Sequence, residues 1–448
     1  MKQELSGWGK YPRLACEVMR AETPRDLQQI LGDSTLSPLL ARGLGRSYGD
    51  TALLADGRVL DCTGLSCYRQ FDPSTGLLTC EAGVTLNMIL QDFGPRGFLP
   101  LVSPGTKFVT VGGCIANDVH GKGHHTDGCF SQCVESFELL LADGSLCTVS
   151  RTEHPDLFWA NFGGLGLLGV IVSATIRLRP VETTYFRETV IAVPHLDALL
   201  DAIDDHAHEP YSVAWVDSLA KGSQLGRGVL RVGDHARRED LPPNLASNPL
   251  KIGPPPRVSV PFELPSGTLN RQTIQVLNLI LDQVQQRGGP LTHYDGFFYP
   301  LDFAKAWNRG YGRRGFAQYQ FVVPLQDGRR HIRELLENIA NSQQAPFLNV
   351  LKRFGPENPH TQLSFPLEGY TFAIDFPINA GLEAFLHRLD TRVAEMGGRI
   401  YLGKDAFLTR AHFERMYPKL PQWREVKAQV DPENRFQSAM GRRLGLCA

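Results

Sequence analysis

Two glycine-rich segments in the first third of the chain constrain its fold more than any other feature. ARGLGRSYGD (41–50) and PGTKFVTVGGCIANDVHGKGHH (104–125) carry few bulky side chains between their glycines. Glycine lets a ligand or another strand approach the main chain closely. Successive backbone N–H groups in such loops form a concavity that can hold a pyrophosphate. Each loop taken alone is equally compatible with a tight turn between two strands.

Composition and charge exclude several classes of function. The chain has 448 residues, enough for two or three domains, and 46 Lys and Arg residues against 47 Asp and Glu. A nucleic-acid binder would show a basic surplus, so we expect no nucleic-acid partner. The first residues, MKQELSGWGKYPRLACEV, lack an apolar stretch, and no run of 18 apolar residues follows. We therefore expect neither a secretory signal nor a transmembrane segment.

Cysteine usage indicates the redox environment. Nine cysteines at irregular spacings predict reduced, mostly buried thiols. Cys129 and Cys133 form a CxxxC pair, which is a weak signal for a disulfide or a metal site, and we expect neither. These features favour a cytoplasmic protein, whose association with the inner membrane would be peripheral.

Local patterns in the first 180 residues predict strands and hairpins with short helices rather than regular βαβ units. The Asp-Gly pairs in ADGRVLDCT (55–63) and FELLLADGSLCTVS (137–150) predict hairpins. VIVSATIRLRP (170–180) predicts a half-buried strand that ends at its proline. LNMILQDFGPRG and HPDLFWANFGG predict short helices that end at glycine.

The pattern changes after about residue 183. HLDALLDAIDDHAHE and NRQTIQVLNLILDQVQQRGG predict amphipathic helices, and QYQFVVP and YTFAIDFP predict strands. The polar, proline-rich stretch 226–257 predicts a long connection of the kind that forms a lid or stays disordered. The predicted fold class is therefore α+β.

The segment GGLGLLG has the spacing of a dinucleotide-binding fingerprint, Gly164-x-Gly166-x-x-Gly169. That fingerprint needs a strand before it and a helix after it. Here the preceding segment predicts a helix and the following one a strand, so we do not expect a Rossmann site. Close approach of the backbone to a ligand or to a neighbouring strand is the alternative reason for these glycines.

The segment NDVHGKGHHTDG (117–128) concentrates histidine and aspartate in a way that resembles a metal site. His120 and His124 have the HxxxH spacing that would place both imidazoles on one face of a helix. Gly121 and Gly123 lie between them and disfavour a helix there. We therefore predict no metal site at this cluster.

Several motifs taken in order identify a family resemblance. ARGLGRSYGD, PGTKFVTVGGCIANDVHGKGHH, ELLLADG and LFWANFGGLGLLGVI resemble the flavin domain of the vanillyl-alcohol oxidase and p-cresol methylhydroxylase superfamily. PLDFAKAWNRGYG, QYQFVVP, FLNVLKRFGPEN, LSFPLEGYTFAIDFPI, GGRIYLGKD and MGRRLGL resemble the decaprenylphosphoryl-β-D-ribose 2-oxidases within it. The resemblance implies a two-domain fold, with an FAD-binding domain over 1–182 and a substrate domain over 183–398. The substrate domain would hold an antiparallel sheet with flanking helices, and residues 399–448 would return to the FAD-binding domain.

The resemblance implies that FAD lies against both glycine-rich loops, the strand after GGLGLLG and the C-terminal YLGKD segment. The implied residues are Arg42, Gly43, Leu44, Gly45, Arg46, Ser47, Tyr48, Gly49, Asp50, Gly105, Thr110, Val111, Gly112, Gly113, His120, Gly121, Lys122, Gly123, Ile171, Tyr401 and Lys404. His124 and His125 would be structural hydrogen-bonding residues behind them. Covalent flavin in this superfamily often uses a histidine in the first loop, where this chain has Gly45-Arg46-Ser47, so we expect non-covalent FAD.

The resemblance also implies a substrate face on strands of the second domain. The matched residues are Lys122, Gln318, Gln320, Lys352, Thr371, Ala373 and Asp375. Several converging lysines suit an anionic polyprenyl-phosphate, although a lone lysine is usually a solvated surface charge. Two positions depart from the family pattern: Ala373 replaces a cysteine that faces the flavin, and Thr371 replaces a residue that is commonly Asn. These departures affect the shape of the pocket and leave the flavin chemistry intact.

The implied reaction is oxidation of the 2-hydroxyl of a polyprenyl-phospho-β-D-ribose to the 2-keto sugar, by hydride transfer to flavin N5. Lys404 is the candidate base because burial lowers the pKa of a lysine, or it balances charge on reduced flavin. Tyr48 and His120 are the other candidate catalytic residues, expected near the flavin ring. A partner short-chain reductase would complete an epimerisation to arabinose. A sugar-lactone or aldonolactone oxidase, and a non-catalytic lipid-phosphate binding module with a vestigial flavin site, are the alternatives.

Overall fold

The computed structural model describes residues 2–254, 256 and 258–447. Within these residues the chain builds three β-sheets of four, six and eight strands, with helices packed on them. Pro255 and Arg257, at the end of the predicted connection, lie outside the described residues. None of the described helices combines the length and the apolar character that crossing a bilayer requires.

The first sheet has four strands in the order β1-β2-β4-β3. They are β1 (Lys2–Ser6), β2 (Arg13–Arg20), β3 (Leu39–Arg42) and β4 (Arg58–Asp61). β4 runs parallel to both β2 and β3, so the hairpin predicted over 55–63 is wrong. Asp56 does turn the chain, with a φ of 55°. An Asp-Gly pair specifies a turn but not the strand with which the next segment pairs.

The second sheet has six antiparallel strands in the order β5-β6-β10-β8-β9, with β7 also paired to β10. They are β5 (Tyr68–Asp72), β6 (Leu77–Glu81), β7 (Phe98–Pro100), β8 (Val134–Leu140), β9 (Leu146–Ser150) and β10 (Val170–Pro180). The hairpin predicted over 137–150 is confirmed as β8 and β9. The strand predicted over 170–180 is confirmed as β10.

The third sheet has eight antiparallel strands in the order β15-β11-β13-β12-β18-β19-β17-β20. They are β11 (Tyr185–Val193), β12 (Tyr211–Val216), β13 (Gly228–His235), β15 (Leu291–His293), β17 (Phe316–Pro324), β18 (Phe347–Phe354), β19 (Gly369–Pro377) and β20 (Arg399–Ile400). β14 (Val258–Ser259) and β16 (Ala304–Lys305) form a separate parallel pair. The strands predicted from QYQFVVP and YTFAIDFP are confirmed as β17 and β19.

The prediction that 226–257 is a loop or lid is wrong in its first third. β13 lies inside the third sheet and pairs along its whole length with β11. Its two glycines obscure the strand signal, because glycine is normally depleted in strands. The packing requires both of them: a Cβ added at Gly228 would lie 2.1 Å from the carbonyl oxygen of Trp215, and one at Gly233 would lie 2.1 Å from that of Arg187.

Helices cover the sheets and connect their strands. They are α1 (Pro24–Gly32), α2 (Leu86–Phe93), α3 (Val111–Ala116), α4 (His124–Asp127), α5 (Pro155–Asn161), α6 (Leu196–Asp205), α7 (Pro243–Ala246), α8 (Arg271–Gln285), α9 (Tyr294–Phe298), α10 (Gly328–Asn341), α11 (Leu382–Glu395), α12 (Arg410–Met416), α13 (Leu420–Val430) and α14 (Ala439–Leu444). The four helices predicted from sequence are confirmed as α2, α5, α6 and α8. GGLGLLG follows helix α5 and precedes strand β10, which is the reverse of the Rossmann order.

The last residues of the chain pack back onto its first sheet. Phe436 forms a β-bridge with Leu39 at the start of β3. The buried guanidinium of Arg435 donates to the carbonyl oxygens of Leu31 (3.0 Å) and Ala142. Because these carbonyls belong to α1 and to the loop between β8 and β9, the arginine ties the C-terminal segment to the first two sheets.

Candidate active site

A cavity of about 360 Å³ lies between the two glycine-rich loops and one face of the third sheet. Most of the residues that the sequence singles out line it. These are Arg42, Gly43, Leu44, Gly45, Arg46, Ser47, Tyr48, Gly105, Thr110, Gly112, Gly113, His120, Gly121, Lys122, Ile171, Gln318, Gln320, Lys352, Ala373, Tyr401 and Lys404. Segments that are more than 350 residues apart in sequence thus meet at one cavity.

Four residues expected at the cofactor lie outside the cavity lining. Asp50 is buried and accepts hydrogen bonds from the guanidinium of Arg443 at 2.7 and 3.0 Å. Gly49 packs so closely that an added Cβ would lie 1.8 Å from the carbonyl oxygen of Asp405. Val111 is fully buried in the core, and Gly123 packs against Pro210 and Tyr211. These four residues therefore support the cavity wall and do not line it.

Thr371 and Asp375, expected at the substrate, project from the same face of the sheet as Ala373 but are covered by neighbouring side chains and do not line the cavity. Both side chains are fully buried. Thr371 donates to the carbonyl oxygen of Phe321 at 2.9 Å and accepts from Gln320 at 3.2 Å. Strand pairing explains why they are near the cavity: Asp375 lies opposite Gln318 on β17. Both residues therefore act on the cavity through its lining glutamines.

The two glycine-rich loops contact each other beneath the cavity. A Cβ at Gly43 would lie 2.3 Å from the Oγ1 of Thr110, so only glycine permits this approach. Gly45 has a φ of 62°, in the left-handed region that glycine favours. Thr110 caps α3 by accepting a hydrogen bond from the N–H of Gly113 at 3.2 Å. Glycine and a small hydroxyl residue thus keep the backbone of both loops accessible.

The floor on the opposite side is a row of side chains from adjacent strands. Gln320 on β17 lies opposite Ala373 on β19, which lies opposite Val350 on β18. Side chains two residues apart share a face of a sheet, so Gln318 and Lys352 project to the same side. Ala373 contributes no thiol to this face.

Lys404 and Tyr48 form a cation–π pair in the cavity. The Nζ of Lys404 lies 3.9 Å from the centre of the Tyr48 ring. The backbone N–H of Tyr48 donates to the carbonyl oxygen of Gly403 at 3.1 Å, which aligns the two segments. Burial lowers the pKa of Lys404 to about 7, and the charges of Asp375 and Lys352 modify it in opposite senses. Burial and the Asp375 charge raise the pKa of Tyr48 well above 10, so the phenol stays protonated.

The Asp375 carboxyl is held by two neutral donors. Gln318 donates to Oδ1 at 2.6 Å, and Tyr311 donates to Oδ2 at 3.0 Å. Burial raises the pKa of Asp375 to about 7, while these hydrogen bonds and Lys404 lower it. The carboxyl of Asp375 and the amine of Lys404 therefore each have a pKa of about 7, and the two groups lie near the same end of the cavity.

His120 is a neutral imidazole between aromatic rings. Its Nε2 lies 3.0 Å from the Nε2 of Gln320, and its ring packs 4.8 Å from Phe354 and 5.0 Å from Tyr401. Burial and the lysine charges lower its pKa well below 6.5. Because the His120 ring is uncharged and its Nε2 already contacts the amide of Gln320, its position favours a role in orienting Gln320 over a role in proton transfer. His124, the other half of the HxxxH pair, begins helix α4, so the two do not share a helix.

Two further lysines line the cavity, and each donates one hydrogen bond to a backbone carbonyl. Lys122 donates to the carbonyl oxygen of Phe297, and Lys352 donates to that of Gly121 at 3.3 Å. Burial lowers the pKa of Lys122 to about 7 and that of Lys352 to about 8. An anion bound beside them would favour their charged forms.

Sequence reasoning missed several residues that the fold brings to the cavity. They come from the N-terminal turn, the second loop, strand β12 and the segment before β17: Trp8, Asn117, Val213, Phe298, Asp302 and Trp307. Trp8 precedes both glycine-rich loops and has no motif around it. The segment PLDFAKAWNRGYG resembles the family and contains Asp302 and Trp307, so it was the available signal for these two residues.

The cavity fits an extended flavin nucleotide. Backbone from two glycine-rich loops lies on one side, and a row of neutral and cationic side chains lies on the other. An added Cβ at Gly105 would meet no protein atom within 4 Å, so the neighbouring protein does not account for the glycine there. The glycines of GGLGLLG have the close backbone approaches expected of them. Gly166 lines the cavity with a φ of 73°, and Gly169 packs against the carbonyl oxygen of Leu140. Fold and site together define a two-domain FAD-linked oxidoreductase.

Comparison with known proteins gives the family. A family model described as an FAD binding domain matches residues 17–150, and one described as D-arabinono-1,4-lactone oxidase matches residues 314–444. The decaprenylphosphoryl-β-D-ribose oxidase of Mycolicibacterium smegmatis is 38% identical over 99% of this chain and 98% of that protein. Shorter regions match the xylooligosaccharide oxidase of Thermothelomyces thermophilus (36% identity, 25% of this chain and 24% of that protein). A region of the D-arabinono-1,4-lactone oxidase of Yarrowia lipolytica also matches (33% identity, 27% of this chain and 24% of that protein). The chain belongs to the family of FAD-linked oxidoreductases that contains the decaprenylphosphoryl-β-D-ribose oxidases.

We predict that the flavin is released when the protein is denatured. Of the described residues that line the cavity, the histidine and cysteine side chains are His120 and Cys62. Burial raises the pKa of the Cys62 thiol to about 12, which removes its nucleophilic thiolate. The Nε2 of His120 contacts Gln320. Acid precipitation should leave a colourless pellet and a yellow supernatant, whereas flavin retained on a peptide of either residue would contradict the prediction.

Proposed function

We propose that the protein oxidises the 2-hydroxyl of a polyprenyl-phospho-β-D-ribose to a 2-keto sugar. The observation that supports this most is the cavity itself, in which Lys404 lies against Tyr48 while two further lysines and two glutamines face the same space. Such a set offers a base, anion-binding groups and hydrogen-bonding groups for sugar hydroxyls. The identity over almost the whole chain with an enzyme named for this substrate supports the same assignment.

The cofactor and the chain divide the reaction between them. The chemistry that FAD supplies is acceptance of the hydride from C2 of the ribose at its N5 atom. Lys404 takes the proton of the 2-hydroxyl on Nζ, so that the C2–O bond becomes a carbonyl. A lysine with a pKa of about 7 is substantially neutral at physiological pH and can accept this proton. Tyr48 holds the lysine against its ring face, where a cation is favoured once the proton has arrived.

The third sheet orients the sugar. Gln318 and Gln320 stand two residues apart on β17 and line the cavity. Gln320 also contacts His120, which fixes its amide. Lys352 and Lys122 bind anionic or hydroxyl oxygens of the substrate. The glycines of both loops that line the cavity would hold FAD through their backbone, and Ile171 and Tyr401, which also line the cavity, would help to hold it.

A sugar-lactone oxidase is the second candidate, because the family model that matches residues 314–444 carries that name. The two activities differ in substrate, so one experiment separates them. Anaerobic addition of farnesyl-phospho-β-D-ribose should bleach the flavin of the purified protein, and D-arabinono-1,4-lactone should not. Reduction of the product with borodeuteride should place deuterium at C2 of ribose and arabinose. Bleaching by the lactone alone would refute the proposal, and a flavin that no sugar bleaches would favour the non-catalytic binding module.

Replacement of Lys404 tests the proposed base. Lys404→Met should slow flavin reduction at least a hundredfold, because acid–base catalysis contributes that much to such a step. In the wild-type protein the reduction rate should rise with pH through about 7 and then level off, since the neutral lysine is the active form. This rise should be lost in Lys404→Met. Stopped-flow measurement of flavin reduction between pH 5.5 and 9 checks both effects.

Lys352→Met is the matched control for that experiment. Lys352 faces the same cavity, but we propose that it only binds the substrate, so KM should rise with kcat little changed. FAD content should match the wild type in both variants, because the glycine-rich loops carry the cofactor. A Lys404 variant that reduces its flavin at the wild-type rate would contradict the assignment of Lys404 as the base.

The 2-keto product requires a second enzyme if the sugar is to be epimerised. We propose a short-chain reductase partner that returns a hydride to C2 from the opposite face.

The lipid-linked substrate also places the protein at a membrane surface, in peripheral contact. Four apolar side chains on one stripe of helix α8 are 48–59% exposed and support this contact: Val276, Leu279, Ile280 and Val284.

Vesicle sedimentation tests the peripheral contact. Wild-type protein should be enriched in the pellet with anionic vesicles, and a variant carrying Leu279→Gln and Ile280→Gln should be enriched several-fold less. A matched control replaces Gln275 and Gln283 of the same helix with Ala. Equal sedimentation of all three proteins would contradict a role for this stripe.

A further inference from the structure

One cation of the cavity wall has no polar partner. Arg46 makes no hydrogen bond and no ion pair among the described residues, and none of its nitrogen atoms is sealed from solvent. Its guanidinium carbon lies 4.0 Å from the centre of the Trp8 ring and 5.7 Å from that of Phe108. Arg42 in the same loop contrasts with it, because Arg42 donates to the carbonyl oxygens of Ala52 and Ser6 at 2.7 Å each.

Trp8 places this arginine where the first glycine-rich loop meets the substrate side. The backbone N–H of Trp8 donates to the carbonyl oxygen of Ser47 at 2.8 Å. Its own carbonyl accepts from Asn308 at 2.9 Å, and its ring packs edge-on against Trp307 at 5.7 Å. Asn308 and Trp307 belong to the segment before β17, which also contacts the second glycine-rich loop through Asp302. The stacked guanidinium is therefore pre-positioned at the junction.

A carboxylate on the same wall does not neutralise it. Asp302 lines the cavity and attracts Arg46, but the two do not form an ion pair. Its carboxylate already accepts hydrogen bonds from the Oγ1 of Thr106 at 2.8 Å and the N–H of Lys107 at 2.9 Å. The donors of Arg46 consequently stay available to an anion inside the cavity.

We propose that Arg46 binds the phosphate of the sugar-phosphate substrate and is not a ligand of FAD. The inference rests on the proposed function. In that substrate the phosphate is attached to C1, the neighbour of the reacting C2, so its receptor must lie beside the Lys404–Tyr48 pair. Arg46 precedes Tyr48 by two residues in the same loop. A planar guanidinium stacked on an aromatic ring presents a fork that matches two phosphate oxygens.

The cavity lysines are less suited to this role. Lys122 and Lys352 each donate to a backbone carbonyl, and burial moves their pKa values towards neutrality. An arginine keeps its charge throughout the physiological range. Arg46 thus supplies a permanent positive charge, while the lysines gain charge only when an anion arrives.

Three variants test the proposal. Arg46→Met retains an apolar stem over Trp8 and removes the charge, and Arg46→Lys retains a charge without the planar fork. Arg96→Met is the matched control, since Arg96 also stacks on an aromatic ring, Phe93, at 5.2 Å but is exposed and does not line the cavity. FAD content and FAD affinity are measured first. Binding of farnesyl phosphate and of farnesol to the oxidised holoenzyme is then followed by the change in the flavin spectrum.

We expect Arg46→Met to bind farnesyl phosphate roughly 10- to 100-fold more weakly than the wild type, the loss typical of a charge-assisted hydrogen bond. Arg46→Lys should fall between them, while FAD affinity, farnesol binding and the Arg96→Met control should stay unchanged. Loss of FAD with unchanged farnesyl phosphate binding would overturn the inference and make Arg46 a cofactor ligand. Equal weakening for farnesyl phosphate and farnesol would overturn it in favour of a role in shape alone. Because this binding needs no turnover, its outcome is independent of whether the phosphoribose bleaches the flavin.

Discussion

The active site depends on one buried ion-pair triad. Arg443 in the C-terminal helix contacts Asp50, at the end of the first glycine-rich loop, at 2.7 Å and Asp405 at 2.9 Å. Asp405 directly follows Lys404, so this arginine fixes the segment that carries the proposed base against the loop that carries Tyr48. Burial raises the pKa of Asp50 in spite of the arginine, which means that the ionised carboxylate is costly there. Removal of one member of the triad would leave an uncompensated charge, which is strongly destabilising.

The electrostatics of the cavity depend on three lysines that lack carboxylate partners in the part of the chain that the structure describes. Lys122, Lys352 and Lys404 are all partly buried, and none has a carboxylate within ion-pair distance among the described residues. Bulk water would stabilise three ammonium groups more than this partly enclosed cavity does, so their pKa values fall towards neutrality. The cavity is thus prepared for an anionic ligand, whose charge would replace the missing solvation. A lysine that must work as a base gains from the same burial that makes its charge expensive.

The sequence predicted the parts of this architecture that depend on local patterns. The β8–β9 hairpin, strand β10, helices α2, α5, α6 and α8, and the two loops all follow from periodicity, turn chemistry or family motifs. What it missed depends on tertiary partners. β13 reads as a loop because Gly233 belongs to a close approach with β11 that no local pattern reveals. Asp50 was predicted to contact the cofactor because its actual partner, Arg443, lies 393 residues further along the chain and no local pattern indicates it. Trp8 has no motif at all and reaches the cavity only through the folding of the N-terminal turn.

Residues behind the wall define the cavity as firmly as those that line it. The amide of Gln318 donates to the Asp375 carboxyl, which also accepts from Tyr311, so the amide nitrogen is directed into the protein. Gln320 is directed in the same sense, because its amide nitrogen contacts His120 and Thr371. With both nitrogens engaged, the amide oxygens are left to face the cavity, where they accept hydrogen bonds from hydroxyl groups. Asp375 and Thr371 therefore set the polarity of a sheet face from which they project, although they do not themselves line the cavity. Their exchange for similar residues in a relative would change which hydroxyls the cavity selects without altering the flavin side.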